Sequence, residues 1–180
     1  MSSLPVAKQG VGTDLVPTPS PVSPRDRIRQ FQAVIAAMPE QGIPLFDGFK
    51  TTHYFANGMY GRAVWRPKGV TTVGKLHKHE HFSILLSGTV AISDGEKSTI
   101  YRAGDVFVSK PGTKRSVHAL TDAVFMTIHR LPEDTRDLDS IEEQLIEPEE
   151  DLPRLFDSNN KVIDPALTMA PGTLIEGPQP

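Results

Sequence analysis

The chain contains no cysteine. That excludes a disulfide framework, a thiolate zinc site and a cysteine nucleophile, and it fits a reducing compartment. Long apolar runs are also missing. No stretch approaches the ~20 residues that a membrane span needs, so no membrane partner is expected. The N-terminus lacks a basic segment followed by an apolar one, so no signal peptide is expected either. Tryptophan occurs once, and aromatics make up only 7% of the 180 residues. The basic residues are scattered and not interleaved with aromatics, which argues against a nucleic-acid partner. Hydrophobic residues reach 38%. That permits a core but fits a chain lying partly outside it: one domain with extensions.

Charge is unevenly placed. Residues 1–132 carry 16 Lys and Arg against 9 Asp and Glu, a balance of +7; residues 133–180 carry 3 against 13, a balance of −10. The acidic segment reads as a solvated helix and tail, or as an element docked on a basic surface of its own chain or a neighbour.

The pattern divides the chain into five parts. Residues 1–22 are rich in Pro, Ser, Thr and Gly and predict an extended arm, because too little apolar surface is present to offset its ordering entropy. Residues 23–49 hold a helix and a linker. Ser23 can cap, Pro24 suits the first helical position and Asp26 favours the helix dipole. Ile28, Phe31, Ile35 and Met38 form one stripe, and Pro39 and Gly42 end it. Over residues 50–131 the period changes to two. Strands are expected at 51–55, 59–66, 70–76, 81–87, 89–93, 98–102, 105–109, 115–120 and 123–129. Turn signals such as Asn57-Gly58, Asp94-Gly95 and Lys110-Pro111-Gly112 separate them, which predicts an antiparallel sandwich or barrel. Residues 132–156 hold an acidic helix, expected to start near Ser140 with Ser140 and Glu143 as a capping box. Residues 157–180 read as a second tail.

Chemistry concentrates in His77-Lys78-His79-Glu80-His81. On an extended strand, alternate residues share a face, and neutral imidazole is the commonest side-chain ligand for transition metals. Yet alternate residues sit ~7 Å apart along a strand, too wide for neighbouring donors ~2.1 Å from one metal. A working site would draw its ligands from several strands. His53 and His129 lie on strands of unknown register. His118 faces away from Arg115 on a regular strand, unless a bulge intervenes. Glu80, the one carboxylate beside the histidines, should point away from the face of His79 and His81.

The middle of the chain resembles the cupins, a family of small double-stranded β-helix or jelly-roll domains. Gly69 to Gly88 covers the first cupin motif. Gly104-Asp105-Val106-Phe107-Val108-Ser109-Lys110-Pro111-Gly112 resembles the second, and residues 119–124 resemble the strand after it. A narrower resemblance is to small cupin-like proteins of tailed bacteriophages. It rests on Gly74-Lys75-Leu76-His77, Glu80-His81, Lys110 to Arg115, Thr127-Ile128-His129 and Asp137 to Glu142. The fold implied is mainly β: an antiparallel double-stranded β-helix, a cupin-like jelly roll, with an N-terminal helix, a C-terminal helix and extended tails. With Gly88 in cupin register, the family's glutamate ligand falls on His81 and its two motif histidines on Lys75 and His77. The remaining histidine falls near Arg115, which cannot ligate.

Three functions follow as expectations. The first is a phage-encoded, virion-associated structural or accessory module, in the host cytoplasm during infection or in the virion. Its arms would contact neighbouring subunits or other phage structural proteins, and cupin resemblance implies a homo-oligomer. The second is a metal-dependent cupin enzyme with Fe, Mn, Zn or Ni on His77, His81 and His79. The third is a cupin binding a small anion or sugar through Lys75, Arg115, His118 and His129.

Overall fold

The computed structural model describes residues 21–39 and 46–149. Nearly all of the expected N-terminal arm, the helix-ending Gly42 and the whole C-terminal tail lie outside these residues.

Helix α1 runs Pro24–Ala36. Its start follows the sequence signal: Ser23 is extended and its Oγ accepts from the Asp26 N–H at 3.1 Å. This satisfies one of the donors that a helix N-terminus leaves open. The apolar stripe packs as one cluster, Ile28, Ile35 and Met38 against Val73, with Phe31 alongside.

Nine strands follow: β1 Lys50–Ala56, β2 Met59–Arg66, β3 Thr71–Val73, β4 His81–Ser87, β5 Thr89–Ser93, β6 Ser98–Arg102, β7 Val106–Ser109, β8 Ser116–Ala119 and β9 Ala123–Arg130. They form two antiparallel sheets, β1-β2-β9-β4-β7 and β3-β8-β5-β6. The inner faces bury Leu85, Val90, Ile92, Val117, Ala123 and Phe125, with Tyr101 and Phe107 against them. The expected strand 70–76 shrinks to its first half. At Gly74 the chain turns out of the ladder, holding on only through the Gly74 N–H to the Arg115 carbonyl.

Two glycines decide close approaches. Gly88 has φ +80°, and a Cβ there would lie 2.1 Å from the Asp122 carbonyl oxygen. Gly95, in the β5–β6 turn with φ +88°, lets the start of α1 in, since a Cβ would meet the Pro24 oxygen at 2.0 Å. Only a residue without Cβ suits either place.

Helix α2 runs Leu138–Leu145. The expected Ser140 cap is corrected. Asp137 caps the helix, and its carboxylate accepts from both the backbone N–H and the hydroxyl of Ser140, at 2.8 and 2.7 Å. A carboxylate three residues upstream takes the role first. Leu138, Ile141 and Leu145 pack with Tyr60, Leu131 and Ile146, closing one end of the barrel. Beyond α2, Ile146 pairs with His77 and the Glu147 N–H reaches the Leu76 carbonyl at 2.9 Å. The acidic segment is thus docked. Glu149 binds the fully buried ammonium of Lys114 at 2.8 and 3.0 Å, and Glu142 binds buried Lys75 at 3.0 Å. Among the described residues, no helix is long and apolar enough to cross a membrane.

Candidate metal centre

The histidine stretch does not form one strand. His77 sits in an isolated bridge, residues 78 and 79 bend, and only His81 enters β4. Each imidazole is therefore positioned separately. The backbone of His77 is held from two sides: its carbonyl accepts from the Gly112 N–H at 3.0 Å, and Ile146 pairs with it across the barrel mouth. His81 begins β4. The pairing of Phe82 with Ile128 brings it beside His129 of β9.

The result is a triad of His77, His81 and His129, whose candidate ligand atoms all lie within 4.8 Å of one another. Ring centroids are 4.3 Å apart for His77–His81 and His81–His129, and 4.9 Å for His77–His129. Two metal–nitrogen bonds of ~2.1 Å span at most ~4.2 Å, so small side-chain shifts would close the set on one ion. The donor chemistry also fits. His81 Nδ1 lies 3.2 Å from the His79 carbonyl oxygen, which only accepts. Nδ1 therefore carries the hydrogen, and the Nε2 lone pair is left available. Nδ1 of His77 and Nδ1 of His129 are buried with no hydrogen-bond partner, a costly state unless something binds there.

Electrostatics keep all three rings neutral. Burial pushes the His77 pKa well below the ordinary value, with further lowering from His81, His129, Arg62 and Arg115. Burial, then His81, Arg62 and His79, bring His129 down to about 3. Burial lowers His81 as well, against the opposing His79 hydrogen bond. Neutral imidazole is the ligating form.

The triad opens on a cavity of about 120 Å³. Its walls are unusually cationic. Arg62, Arg66 and Arg115 line it beside Lys75, and the lining carboxylate, Glu142, is engaged by Lys75. Arg115 donates to the Ser109 hydroxyl at 2.5 Å and lies 5.3 Å from the Phe107 ring centroid. Ser109 in turn bonds Ser83 at 2.9 Å. Tyr60 faces the same space with its hydroxyl 2.8 Å from His53 Nδ1, and burial raises its pKa to about 12.

Of the residues singled out in the sequence, His77, His81, His129, Lys75 and Arg115 come together at this cavity. His79 and His118 do not. The His79 side chain is exposed, and only its carbonyl touches the site. His118 sits on β8, bonded to the Thr71 hydroxyl at 2.7 Å, and is not part of the lining. His129 thus stands where His79 was expected among the ligands. Sequence reasoning missed Tyr60, Arg62 and Glu142. The period-two pattern of 59–66 would have placed Tyr60 and Arg62 on one face, but nothing in it says which face.

Residues 61–129, which include the whole triad, match the family model described as Cupin domain. With the two-sheet topology, this supports the cupin superfamily and a jelly-roll barrel. No curated protein matches. Among solved structures, KdgF from Halomonas sp. is 17% identical at TM-score 0.43, over 51% of this chain and 87% of that one. An RmlC-like cupin from Shewanella frigidimarina NCIMB 400 is 19% identical at TM-score 0.43, over 55% and 90%. Salicylate 1,2-dioxygenase from Pseudoaminobacter salicylatoxidans is 18% identical at TM-score 0.42, over 57% and 30%. None of these findings links the chain to tailed bacteriophages.

Proposed function

We propose that this cupin-type barrel is a metal-binding module that holds one divalent transition metal on His77, His81 and His129 and captures a small anionic ligand beside it. The observation that carries this reading is the triad: three neutral imidazoles from separate elements, two with a buried nitrogen lacking a partner. An all-imidazole set admits Fe, Mn, Zn or Ni. When bound, the metal would polarise an oxygen of the ligand. The rest is the work of the chain's own side chains. The His79 carbonyl fixes the His81 tautomer. Arg115, oriented by Ser109 and Phe107, offers a planar guanidinium toward a carboxylate or phosphate. Lys75 is spent on Glu142, so Arg62 and Arg115 supply the charge that selects an anion.

The expectation of a virion-associated module rests on the phage resemblance and on terminal segments outside the described residues. Neither bears on the cavity, so the metal-binding reading replaces it. Mass spectrometry of purified virions tests the virion expectation directly.

Elemental analysis of protein purified without added metal is the deciding experiment. Roughly one equivalent per chain is expected, and less than ~0.2 would rule out a native metal protein. In a thermal-shift screen, small carboxylates and phosphate should stabilise the metal-loaded protein, with the gain lost in Arg115→Ala.

A further inference from the structure

Two guanidinium groups line the cavity with an aromatic ring as a platform under each. Arg115 lies 5.3 Å from the centroid of Phe107, and Arg66 lies 5.5 Å from that of Phe125. The two rings are themselves 6.2 Å apart. An aromatic face steadies a guanidinium and leaves its N–H edge for an anion. Arg115 serves the proposed anion site beside the triad. Arg66 has no role there.

Strand register sets the two platforms at different depths. His81 of β4 stands opposite Ser109, Ser83 opposite Phe107, and Leu85 opposite Phe125. Arg115 donates to Ser109 and rests on Phe107, so it occupies the first and second of these rows, beside the triad. Arg66, over Phe125, occupies the third. Arg62 belongs with Arg115, since both charges lower the His77 pKa. Rows on one face of a strand recur every ~7 Å, which separates Arg115 from Arg66 by ~7–14 Å. The wall between them is largely apolar, with Val64, Ile92, Phe107, Val117 and Phe125. The one carboxylate among the lining residues, Glu142 of α2, is bonded to Lys75.

We propose that Arg66 is the second anchor of a two-headed ligand, a straight-chain dicarboxylate about as long as adipate, whose other carboxylate sits at Arg115 beside the triad. The near anchor rests on the anion capture proposed at Arg115; the far anchor is new. Length follows from the rows. An N–H···O contact takes ~3 Å at each end, which leaves up to ~8 Å between the carboxylates. The apolar wall suits methylene groups better than the hydroxyls of a sugar acid. Each planar guanidinium can grip a carboxylate with two parallel hydrogen bonds.

The test is isothermal titration calorimetry on the full chain as purified, with its metal content measured alongside. The probes are adipate, hexanoate and succinate. Adipate should bind at least ~10-fold tighter than hexanoate, the worth of one hydrogen bond to a charged group. It should also bind tighter than succinate, which is too short to span the rows. Arg66→Met should remove the advantage of adipate and leave hexanoate affinity and metal content unchanged. Arg66→Gln carries the same test if the first variant fails to fold, which its melting temperature reports. Arg115→Ala, by contrast, should weaken adipate and hexanoate alike. Equal affinity for adipate and hexanoate overturns the proposal, and so does the absence of binding by either. Succinate that binds as tightly as adipate overturns it too, as does an adipate advantage that survives in the folded Arg66 variants. One equivalent of metal without an adipate advantage removes the second anchor and leaves the metal-binding reading standing. An adipate advantage that depends on Arg66 in a protein without metal supports the second anchor and removes the metal.

Discussion

At the scale of single residues, the centre depends on which histidine joins His77 and His81. His129 →Ala removes a triad member, whereas His79→Ala removes an exposed ring and leaves the carbonyl that His81 uses. Metal affinity measured by competition with a chelator should fall at least ~10-fold in the first variant and stay unchanged in the second. Equal losses would contradict the assignment. Lys75 provides a second contrast. Its ammonium and the Glu142 carboxylate are both buried. Lys75→Met alone should cost about 3–5 kcal/mol in urea unfolding, because it strands a buried charge. Combining it with Glu142→Leu should recover most of that loss, since desolvation offsets much of the attraction in a buried pair.

At the scale of elements, α2 packs its apolar edge on Tyr60, Leu131 and Ile146. It lies outside the matched residues 61–129, yet it plugs one end and leads into the segment that holds His77. Asp137→Ala should destabilise by about 1 kcal/mol through loss of the cap. Ser140→Ala should cost less, since its backbone N–H keeps the Asp137 partner. The reverse order in denaturant midpoints would restore Ser140 as the cap. Strand positions were legible in the sequence because β-branched and aromatic alternation is a local signal. The helix cap was misread by three residues, because both Asp137 and Ser140 are capping types and only the chain path chooses between them.

At the scale of the whole molecule, three neutral imidazoles, His81 and His129 buried and His77 partly so, make stability depend on pH. Unfolded histidines protonate near 6.5, while folded His129 waits until about 3, and His77 and His81 are lowered too. Between those values the unfolded chain binds more protons, so stability is complete above about pH 6.5 and is lost as pH falls. Each histidine contributes about 1.4 kcal/mol per pH unit across its window. Urea unfolding of metal-free protein between about pH 7 and pH 5 should show this slope, and His129→Gln should reduce it by about one proton. An unchanged slope would mean that His129 is already charged in the folded state. Above pH 5 ordinary carboxylates stay ionised in both states, so they do not obscure the effect.

Among the described residues, the sequence by itself marked the nine strands and two helices, though not every boundary, together with their turns and an apolar face for α1. Alternation, capping residues and glycines act over a few residues and can be read locally. It also marked His77 and His81, because an unusual cluster of imidazoles is visible without a fold. What only the tertiary structure decided is the company they keep. His129 joins them through the β4–β9 register, across the 47 residues that separate it from His81. Glu142 arrives from a helix beyond the barrel and turns Lys75 from a pocket cation into half of an ion pair. Such contacts depend on long-range register and docking, and no local pattern encodes them.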